Sequence, residues 1–485
     1  MADTAPREAE AERREALHIL EEKASQLTEQ IKNSRHFIAF TGAGISTSAG
    51  EFQTFLLIPS SPGSAGDLVG GCQTGRPQSN LQRTYALICL VSEIDGGDLG
   101  IPDFRGPEGA WTLRAQGRQR TGKTTSTLQA VPTKTHMALV ELQERGILKY
   151  LVSQNCDGLH RKSGILPEKI SELHGNSNRE YCKDCGKEYL RDFRAVATYE
   201  KTVRDHRTGR KCAVCNGTLL DTIVNFGEYL PAEPLALARA NARKADLCLA
   251  LGSSLTVPPA CTIPETVGKK KRTKTSPNGG QLVICNLQST PLDHLSELRV
   301  WATTDDLMVK VMEKLDIPIP KFVLRRRLVM EIEMTAEDRY QVTARGIDVD
   351  GTPATFLQSV KMQGNRRVAR TEPFTIPFRG ELSAGTEVKV DLEFMGHYGE
   401  PVLEIALEYS GEDKLEITYL LEYDPSNGAW EVSRQDAGTL AGRGGTAETD
   451  EGMEDSLMIS AEEAGVPSHI IASSAASEII DLTSP

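Results

Sequence analysis

Hydrophobic residues recur at helical spacing near the start of the chain. Leu17, Leu20, Leu27 and Ile31 stand among charged residues between about residues 9 and 32. A hydrophobic period of about 3.6 residues is typical of an amphipathic helix, whose apolar stripe must be buried. We therefore expect residues 1–34 to form an N-terminal amphipathic helix that packs on the domain behind it.

Short apolar runs then alternate with helical patterns. The runs, which are typical of buried strands, are residues 36–40, 148–153, 247–251 and 282–286, and the clearest helical patterns are residues 136–145 and 235–245. Strands that alternate with helices favour a parallel sheet with helices on both faces. The pattern predicts a doubly wound, Rossmann-like α/β domain over residues 35–320.

The pattern changes beyond Pro320. Six short segments alternate apolar and polar positions and are broken by Gly, Asp and Asn: residues 323–333, 339–349, 374–379, 387–394, 402–409 and 415–423. Such segments predict a small all-β, sandwich-like domain over residues 321–440. Glycine, serine, alanine and acidic residues dominate residues 441–485, so we expect an acidic, disordered tail there.

Composition narrows the class of protein. The 485 residues carry a formal net charge of −12, which argues against a protein that binds nucleic acid over its whole surface. A local basic cluster at residues 269–274 indicates either a solvated loop or a nuclear-import or phosphate contact, so direct nucleic-acid binding stays open. No apolar run reaches membrane-spanning length, and we expect no membrane partner and a location inside the cell.

Four of the ten cysteines stand in two close pairs. Cys182 and Cys185 form one CxxC pair, Cys212 and Cys215 form the other, and four thiolates at this spacing satisfy tetrahedral zinc. The segment between the pairs is longer than in most zinc ribbons, so a loop should bulge there. Residues 178–222 are therefore predicted to be a small zinc-ribbon module with one structural Zn²⁺; four unligated surface cysteines are the weaker alternative.

Two glycine-containing blocks suggest a nucleotide site. Residues 42–44 follow the first strand with the sequence Gly-Ala-Gly, which lets a diphosphate approach backbone N–H groups. Alone, this loop would be interpreted in favour of a tight turn without a ligand. A second block adds Asp103, Phe104 and Arg105, and a carboxylate, an aromatic ring and a guanidinium so close together suit a nicotinamide riboside. Without these companions, Asp103 and Arg105 would indicate only an ion pair.

Two further blocks place polar side chains behind strands. Gln154, Asn155 and Asp157 follow the second strand, at the edge where α/β sheets keep their ligands, and such groups can orient ribose hydroxyls. His174 lies about twenty residues further along the chain, and an imidazole that titrates near neutrality is suited to general-base catalysis. A lone histidine is usually structural, but the combination of these blocks favours a functional one.

Together the blocks closely resemble the sirtuin family over about residues 35–320, and residues 135–139, 152–160 and 286–288 are most similar to its class IV, nuclear and chromatin-directed branch. The resemblance implies that His174 is the catalytic base and that Asn155 and Asp157 hold ribose, water or nicotinamide in register. It implies an NAD cleft lined by Ala43, Thr47, Asp103, Phe104, Arg105, Trp111, Gln154, Gly252, Ser254, Asn286 and Gln288. It also implies that residues 226–228, Phe-Gly-Glu, pair with the substrate peptide as an added strand.

The same resemblance implies an activity and a partner. In an NAD-dependent protein-lysine deacylase the acyl oxygen of a modified lysine attacks C1′ of the nicotinamide ribose, nicotinamide leaves, and His174 draws a proton from the ribose hydroxyls, which yields O-acyl-ADP-ribose and free lysine. The expected partner is an acylated histone or other nuclear protein, and the expected location is the nucleus, with the cytoplasm as the alternative. Protein mono-ADP-ribosyl transfer and a scaffold with an impaired cleft remain open, although the intact His174, Asn155 and Arg105 argue against the scaffold.

Residues 51–100 interrupt the family pattern. Sirtuins run from the Gly-Ala-Gly loop straight into the Pro-Asp-Phe-Arg block, whereas here about fifty residues rich in Gly, Ser and Pro intervene. They are either a genuine insertion at the lip of the cleft or a retained intron. We favour the intron, because the codons at both borders can supply splice signals. Transcript sequencing across the junction distinguishes the two.

Three apolar residues stand near the end of the sequence: Ile479, Ile480 and Leu482. With their acidic neighbours they resemble a SUMO-interaction motif, in which a short apolar strand adds to the edge of a sheet. So short a match arises easily by chance, and a tail without a ligand is the equal alternative. SUMO is therefore predicted as a second partner only through these three residues.

Overall fold

The computed structural model describes residues 12–47, 49, 127–197, 204–225, 227–271, 279–336, 338–380 and 382–435. Six strands form one parallel sheet: β1 (Phe37–Thr41), β2 (Leu148–Ser153), β3 (Ile170–Glu172), β8 (Leu247–Leu251), β9 (Gln281–Cys285) and β10 (Leu298–Val300). They lie in the order β10-β9-β8-β1-β2-β3. The four strands predicted from apolar runs are present, whereas β3 and β10 have three residues each and are too short to give a recognisable run.

Alternate residues of the sheet point into two hydrophobic cores, one on each face. Phe37 and Ala39 of β1 belong to one core, and Ile38 and Phe40 belong to the other, as the period of two residues in a strand requires. The first core contains residues of helices α1 (Leu17–Asn33), α2 (Lys134–Glu144) and α6 (Thr304–Leu315), and the second contains residues of α4 (Ala232–Lys244) and α5 (Thr262–Gly268). The predicted doubly wound α/β class is confirmed.

Helix α1 is present within the predicted span but begins only at Leu17, so the described residues 12–16, which the pattern predicts to be helical, are not. Its buried stripe includes Leu20, Leu27 and Ile31, and it packs beside α6, where Lys310 donates to Glu21 at 2.7 Å. Leu17, which the periodicity also assigned to the stripe, is 76% exposed. Among the described helices, none combines the length and the apolar character that crossing a bilayer requires.

A small antiparallel sheet carries the two cysteine pairs. Its strands are β4 (Arg179–Cys182), β5 (Glu188–Leu190), β6 (Arg207–Lys211) and β7 (Thr218–Asp221), in the order β5-β4-β7-β6. The segment between the pairs, for which a bulging loop is predicted, contains β5 and β6. Residues 178–222 are called the zinc module below.

Two antiparallel sheets follow α6. One consists of β11 (Leu324–Ala336), β12 (Arg339–Ile347), β15 (Phe374–Arg379), β18 (Lys414–Asp424) and β19 (Ala429–Gln435), and the other of β13 (Leu357–Met362), β14 (Val368–Ala369), β16 (Glu387–Phe394) and β17 (Leu403–Glu408). Both contribute to one hydrophobic core. The six predicted segments are strands, and the pattern missed β13, β14 and β19. Residues 321–435 are called the β domain below.

A buried arginine joins the β domain to the zinc module. Arg326 of β11 donates to Asp192 of the zinc module at 2.8 and 3.0 Å and to Glu400 of the β domain at 2.7 Å. Only 4% of its side chain is exposed, and Glu400 is fully buried. The guanidinium also lies over the rings of Phe356 and Phe394, at 5.2 and 5.3 Å from their centroids. One guanidinium is thus shared by two carboxylates, so removal of Arg326 would leave both without their charged partner.

Several predictions concern residues outside the described ranges. They include the interruption at residues 51–100, the tail at residues 441–485 and its SUMO-interaction motif, all of which stay predictions. The same holds for four residues of the expected NAD cleft, Asp103, Phe104, Arg105 and Trp111.

Candidate active site

The carboxyl ends of the parallel strands bring several loops to one edge of the sheet. The chain passes from β1 to β2 and β3 on one side of β1 and later builds β8, β9 and β10 on the other side. The strand order therefore reverses between β1 and β8, and open α/β sheets bind ligands in the crevice at such a switch point. Residues 42–47 follow β1 and residues 252–254 follow β8, so both loops border this crevice.

Glycines let these two loops touch. The N–H of Gly44 donates to the carbonyl of Gly252 at 2.8 Å. A Cβ on Gly44 would lie 2.7 Å from Gly252 Cα, and a Cβ on Gly42 would lie 2.7 Å from the Gly252 carbonyl oxygen. Gly252 also has a φ of +58°, which side chains rarely tolerate. Backbone therefore packs on backbone at this point of the crevice, and all three positions require glycine.

Gln154 connects three of the loops. Its side-chain Oε1 accepts a hydrogen bond from the Ser253 hydroxyl at 2.8 Å, and its backbone carbonyl accepts one from His174 Nδ1 at 3.0 Å. The neighbouring Asn155 donates from Nδ2 to the carbonyl of Gly42 at 3.0 Å. The side-chain amides of Gln154 and Asn155 thus fix the loops behind β8 and β1, and the Gln154 backbone carbonyl fixes the loop behind β3.

Asp157 begins the turn into helix α3 (Leu159–Ser163). Its Oδ1 accepts from the N–H of Leu159 at 2.9 Å, and its Oδ2 accepts from the Ser46 hydroxyl at 2.7 Å. Burial raises the pKa of Asp157, although both hydrogen bonds favour the carboxylate and oppose that rise. A partly desolvated carboxylate therefore lies against the loop behind β1, where it can orient hydroxyl groups.

His174 lies beyond the end of β3, half-buried, with its ring in a defined tautomer. A backbone carbonyl can only accept, so Nδ1 must carry the proton that it donates to Gln154, and Nε2 of the neutral ring is the free base. Burial lowers the pKa of His174 below the ordinary value of 6.5, and the hydrogen bond to Gln154 works in the opposite direction. The ring is therefore neutral at physiological pH and able to take a proton at Nε2.

The loop at residues 221–228 packs directly against the His174 loop. The N–H of Val224 donates to the carbonyl of His174 at 3.1 Å. Gly175 has a φ of +83°, and a Cβ there would lie 1.8 Å from the carbonyl oxygen of Thr222. The Thr222 hydroxyl also accepts from the N–H of Asn176 at 3.0 Å. The glycine after His174 is thus required by the close approach of this second loop.

The four predicted zinc ligands lie together. The sulfurs of Cys182 and Cys215 are 3.4 Å apart, those of Cys185 and Cys212 are 3.6 Å apart, and all four lie within 4.8 Å of one another. Tetrahedral zinc with Zn–S bonds of about 2.3 Å requires sulfurs roughly 3.8 Å apart, so the donor set fits one Zn²⁺ without an open position. Zinc here is structural.

The chain matches a family model described as the Sir2 family over residues 119–259. It is 33% identical over 407 residues to a protein of Arabidopsis thaliana named NAD-dependent protein deacetylase SRT1, and the alignment covers 78% of this chain and 73% of that protein. The chain belongs to the Sir2, or sirtuin, family. Both the motif-based resemblance and the expected fold class are therefore confirmed for this sirtuin.

Other relatives match this sirtuin over shorter spans. It is 34% identical over 308 residues to NAD-dependent protein deacetylase sirtuin-7 of Bos taurus, with 62% of each chain covered. A solved structure described as Sir2-p53 peptide-NAD+ is 27% identical and covers 60% of this chain and 98% of that chain, with a TM-score of 0.36. The alignments therefore leave more than a third of bovine sirtuin-7 unmatched.

The structure brings the described members of the predicted site to one edge of the sheet. They lie behind β1 (Ala43 and Thr47), β2 (Gln154, Asn155 and Asp157), β3 (His174), β8 (Gly252 and Ser254) and β9 (Asn286 and Gln288). Hydroxyls, amides and a carboxylate are the groups that recognise ribose and diphosphate, so the described donor set of this sirtuin fits NAD. Their individual roles stay predictions.

Three further residues support the site and were not found from the sequence. Ser46 and Ser253 hydrogen-bond to Asp157 and Gln154, and both stand beside motif residues, which is the signal that could have revealed them. Arg299 gave no such signal. Its guanidinium donates to the carbonyls of Asn286 and Gln288 at 2.9 and 2.6 Å and lies 3.6 Å from the centroid of the Trp301 ring. It fixes the loop behind β9 from the next strand.

The basic cluster at residues 269–274 is partly used inside the fold. Lys270 donates from Nζ to the carbonyl of Arg243 at 2.8 Å and also to the carbonyl of Ala245, so it caps the end of α4. Lys269 pairs with Glu265. Among the described lysines of this cluster, two are therefore engaged in local contacts, which weakens the interpretation as a free phosphate contact.

Proposed function

We propose that this sirtuin is an NAD-dependent protein-lysine deacetylase or deacylase that acts on histones or other nuclear proteins and releases nicotinamide and O-acyl-ADP-ribose. The names of the Arabidopsis and bovine relatives support the reaction. The resemblance to the class IV branch supports nuclear substrates and a nuclear location. The observation that carries the proposal is the His174 ring, whose proton on Nδ1 leaves Nε2 as a base beside the switch-point crevice.

When bound, NAD supplies the ribose that receives the acyl group and the nicotinamide that leaves. The residues of this chain then have separate tasks. His174 takes a proton at Nε2, and the Gln154 carbonyl stabilises the charged ring because its hydrogen bond favours that form. Asp157 and Asn155, which are held by Ser46 and Gly42, keep the ribose in position. General-base assistance of this kind contributes roughly 10²–10⁴-fold in rate.

The proposal is tested with the full chain, NAD and an acetylated histone peptide. Nicotinamide release, the mass of the peptide and the mass of the protein are measured together. Release with loss of the acetyl group supports the proposal. Release with labelling of protein would instead indicate mono-ADP-ribosyl transfer, and neither event would indicate a scaffold.

His174→Ala is the decisive variant, with the exposed His294→Ala as its matched control. We expect kcat/KM of His174→Ala to fall roughly 10²–10⁴-fold while NAD binding and zinc content are retained. Because the pKa of His174 is lowered, the acid limb of the wild-type profile of kcat/KM should lie below pH 6.5. Equal activity of the two variants would refute the assignment of the base.

A further inference from the structure

The described residues at the far end of the loop at residues 221–228 have few packing contacts, whereas its first half packs on the His174 loop. Gly227 lies in open space, and Tyr229, which follows the loop, is 99% exposed. Asp221 at the start of the loop is 4% exposed and accepts from the N–H of Ala197 at 2.6 Å, so this end is anchored. Glu228 at the far end bonds to its own loop, where its Oε2 accepts from the N–H of Asn225 at 2.7 Å. These contacts of Glu228 lie within the loop and do not attach its far end to the rest of the protein.

One histidine of the zinc module supplies such an attachment. His206 Nδ1 lies 2.7 Å from Asp221 Oδ1, and its Nε2 lies 3.1 Å from Glu228 Oε1. The N–H of Asp221 also donates to the backbone carbonyl of His206 at 2.8 Å. The imidazole therefore bridges the first and last carboxylates of the loop.

The two partners define the charge of the ring. Carboxylate oxygens only accept, so both nitrogens of His206 must donate, which requires the imidazolium form. Burial alone would lower the pKa of His206, but the hydrogen bonds to Asp221 and Glu228 outweigh burial and raise it above 6.5. Hydrogen bonds between charged groups are about twice as strong as neutral ones.

We propose that His206 is a positioning residue that holds the two ends of the loop at residues 221–228, Asp221 and Glu228, in the conformation that receives the acyl-lysine peptide. The proposal rests on the proposed function, because the sirtuin resemblance assigns peptide pairing to residues 226–228. His206 is not a member of the predicted NAD cleft, and its ring bonds to Asp221 and Glu228 rather than to His174. Its effect should therefore appear in peptide binding and leave the chemical step unchanged.

The first test compares His206→Ala with Arg207→Ala in steady-state kinetics. Arg207 is the adjacent residue in the same module, and its side chain is 60% exposed and pairs with Asp205 at 2.6 Å. For His206→Ala we expect the KM for acetylated peptide to rise roughly tenfold, the factor that corresponds to a lost charge-assisted hydrogen bond, with kcat, the KM for NAD and zinc content within about twofold of wild type. Arg207→Ala should match the wild type. An unchanged peptide KM in His206→Ala would overturn the proposal.

A double-mutant cycle keeps the test valid if His206→Ala disturbs the zinc module. Glu228→Gln weakens the same contact from the loop and leaves the module intact. Its effect on the peptide KM should be several-fold, and His206→Ala combined with Glu228→Gln should be no worse than His206→Ala alone, because both remove one interaction. Additive effects, or no effect of Glu228→Gln, would overturn the proposal.

Hydrogen exchange separates this inference from the proposed function. The segment at residues 222–230 should exchange roughly tenfold faster in His206→Ala than in Arg207→Ala, whether or not the wild type deacetylates a peptide. Equal exchange in the two variants would overturn the proposed positioning role of His206. If the wild type did not deacetylate the peptide but His206→Ala still exchanged faster, the deacylase function would be rejected and the positioning role of His206 would stand.

Discussion

The zinc module and the β domain are both built from antiparallel strands, but they bury very different amounts of hydrophobic surface. The core of the zinc module consists of Cys182, Tyr189, Cys212 and Leu219, of which two are zinc ligands. The β domain buries twenty hydrophobic residues in one cluster. A hydrophobic core of four residues cannot offset the loss of conformational entropy on folding. The module is therefore held by its metal site, and the β domain by its core.

Polar contacts support the module in place of a core. Glu180 of β4 is fully buried, and its carboxylate accepts from Arg191 at 2.7 Å, from Arg210 at 2.8 and 2.9 Å, and from Thr208 at 2.7 Å. Buried carboxylates are tolerated only when they are paired in this way. The module thus combines a metal with a charged cluster, and both are sensitive to the loss of one partner.

The difference matters because the module is connected to the candidate active site. The N–H of Ser177 donates to the carbonyl of Cys156 at 2.9 Å, and the N–H of Ala195 donates to the carbonyl of Ser177 at 2.8 Å. His206 adds the contact to the loop at residues 221–228. Damage to the module should therefore reach the substrate site, whereas damage to the core of the β domain should stay local until the domain unfolds.

Zinc removal should give the largest difference in stability between the zinc module and the β domain. Structural zinc in small modules contributes about 10–16 kcal/mol of binding free energy, so Cys212→Ser or chelation should unfold residues 178–222 and abolish peptide binding. Hydrogen exchange should show fast exchange of β4 to β7 while the strands of the β domain stay protected. Zinc content, measured by elemental analysis, should fall from one to none per chain.

Cys261→Ser is the control for that prediction, because Cys261 is half-buried and lies outside the cluster of four cysteines. It should retain zinc and peptide binding. If metal-free protein kept the module protected from exchange, the argument that four buried hydrophobic residues are insufficient would be wrong.

A core substitution in the β domain should have the opposite effect: it should destabilise the β domain and leave the zinc module folded. Phe374→Ala removes a ring that is 2% exposed in the core cluster, and such truncations cost about 4 kcal/mol. Denaturant unfolding should show the β domain destabilised while zinc content is retained. Val402→Ala, at a side chain that is 61% exposed, should change the free energy of unfolding by less than about 0.5 kcal/mol. Loss of zinc in Phe374→Ala would show that the two regions fold as one unit.

Much of this architecture could be predicted from the sequence where the signal is local. The CxxC pairs identify the zinc ligands, because four thiolates at that spacing have one common use, and the apolar runs identify β1, β2, β8 and β9. Strands β3 and β10 could not be predicted, because three residues are too few to show a hydrophobic period. Strand β19 could not be predicted either, because most of its residues are exposed and it has no buried face that an apolar pattern would reveal.

The contacts that position the site could not be predicted, because they join residues far apart in the sequence. Gln154 meets Ser253, and His206 meets Glu228, only after the strands and the module are assembled. The motifs single out Gln154 and Glu228 for NAD and peptide binding, but nothing in the sequence indicates that they contact Ser253 and His206. Arg326 is similar: its neighbours Arg325 and Arg327 look equivalent in the sequence, and only the structure shows that Arg326 alone of the three contacts both Asp192 and Glu400.

Arg326→Ala should remove the ion pairs that connect the β domain to the zinc module. The substitution leaves the buried Glu400 side chain with the N–H of Tyr398 but without its charged partner, and removal of one member of a buried ion pair costs about 3 kcal/mol. The free energy of unfolding of the β domain should fall by that amount, and exchange of β11 next to the zinc module should increase. Arg325→Ala, whose side chain is 67% exposed and pairs with Glu422 at 2.7 Å, should cost less than about 1 kcal/mol. Equal effects of the two variants would mean that the buried pair adds nothing to the junction.

Tyr189→Phe should give the smallest effect and the most specific one. Burial and the hydrogen bond to Cys212 raise the pKa of Tyr189 to about 12, so its hydroxyl stays protonated and donates to the Cys212 sulfur at 3.2 Å, while its oxygen accepts from the N–H of Ala213 at 2.9 Å. Loss of a hydrogen bond to a metal ligand lowers metal affinity roughly 10-fold to 100-fold, so Tyr189→Phe should bind zinc about tenfold more weakly in competition with a chelator. The ring itself stays, so the four-residue core is unchanged. If zinc affinity did not fall, the hydroxyl would contribute to the module only through Ala213.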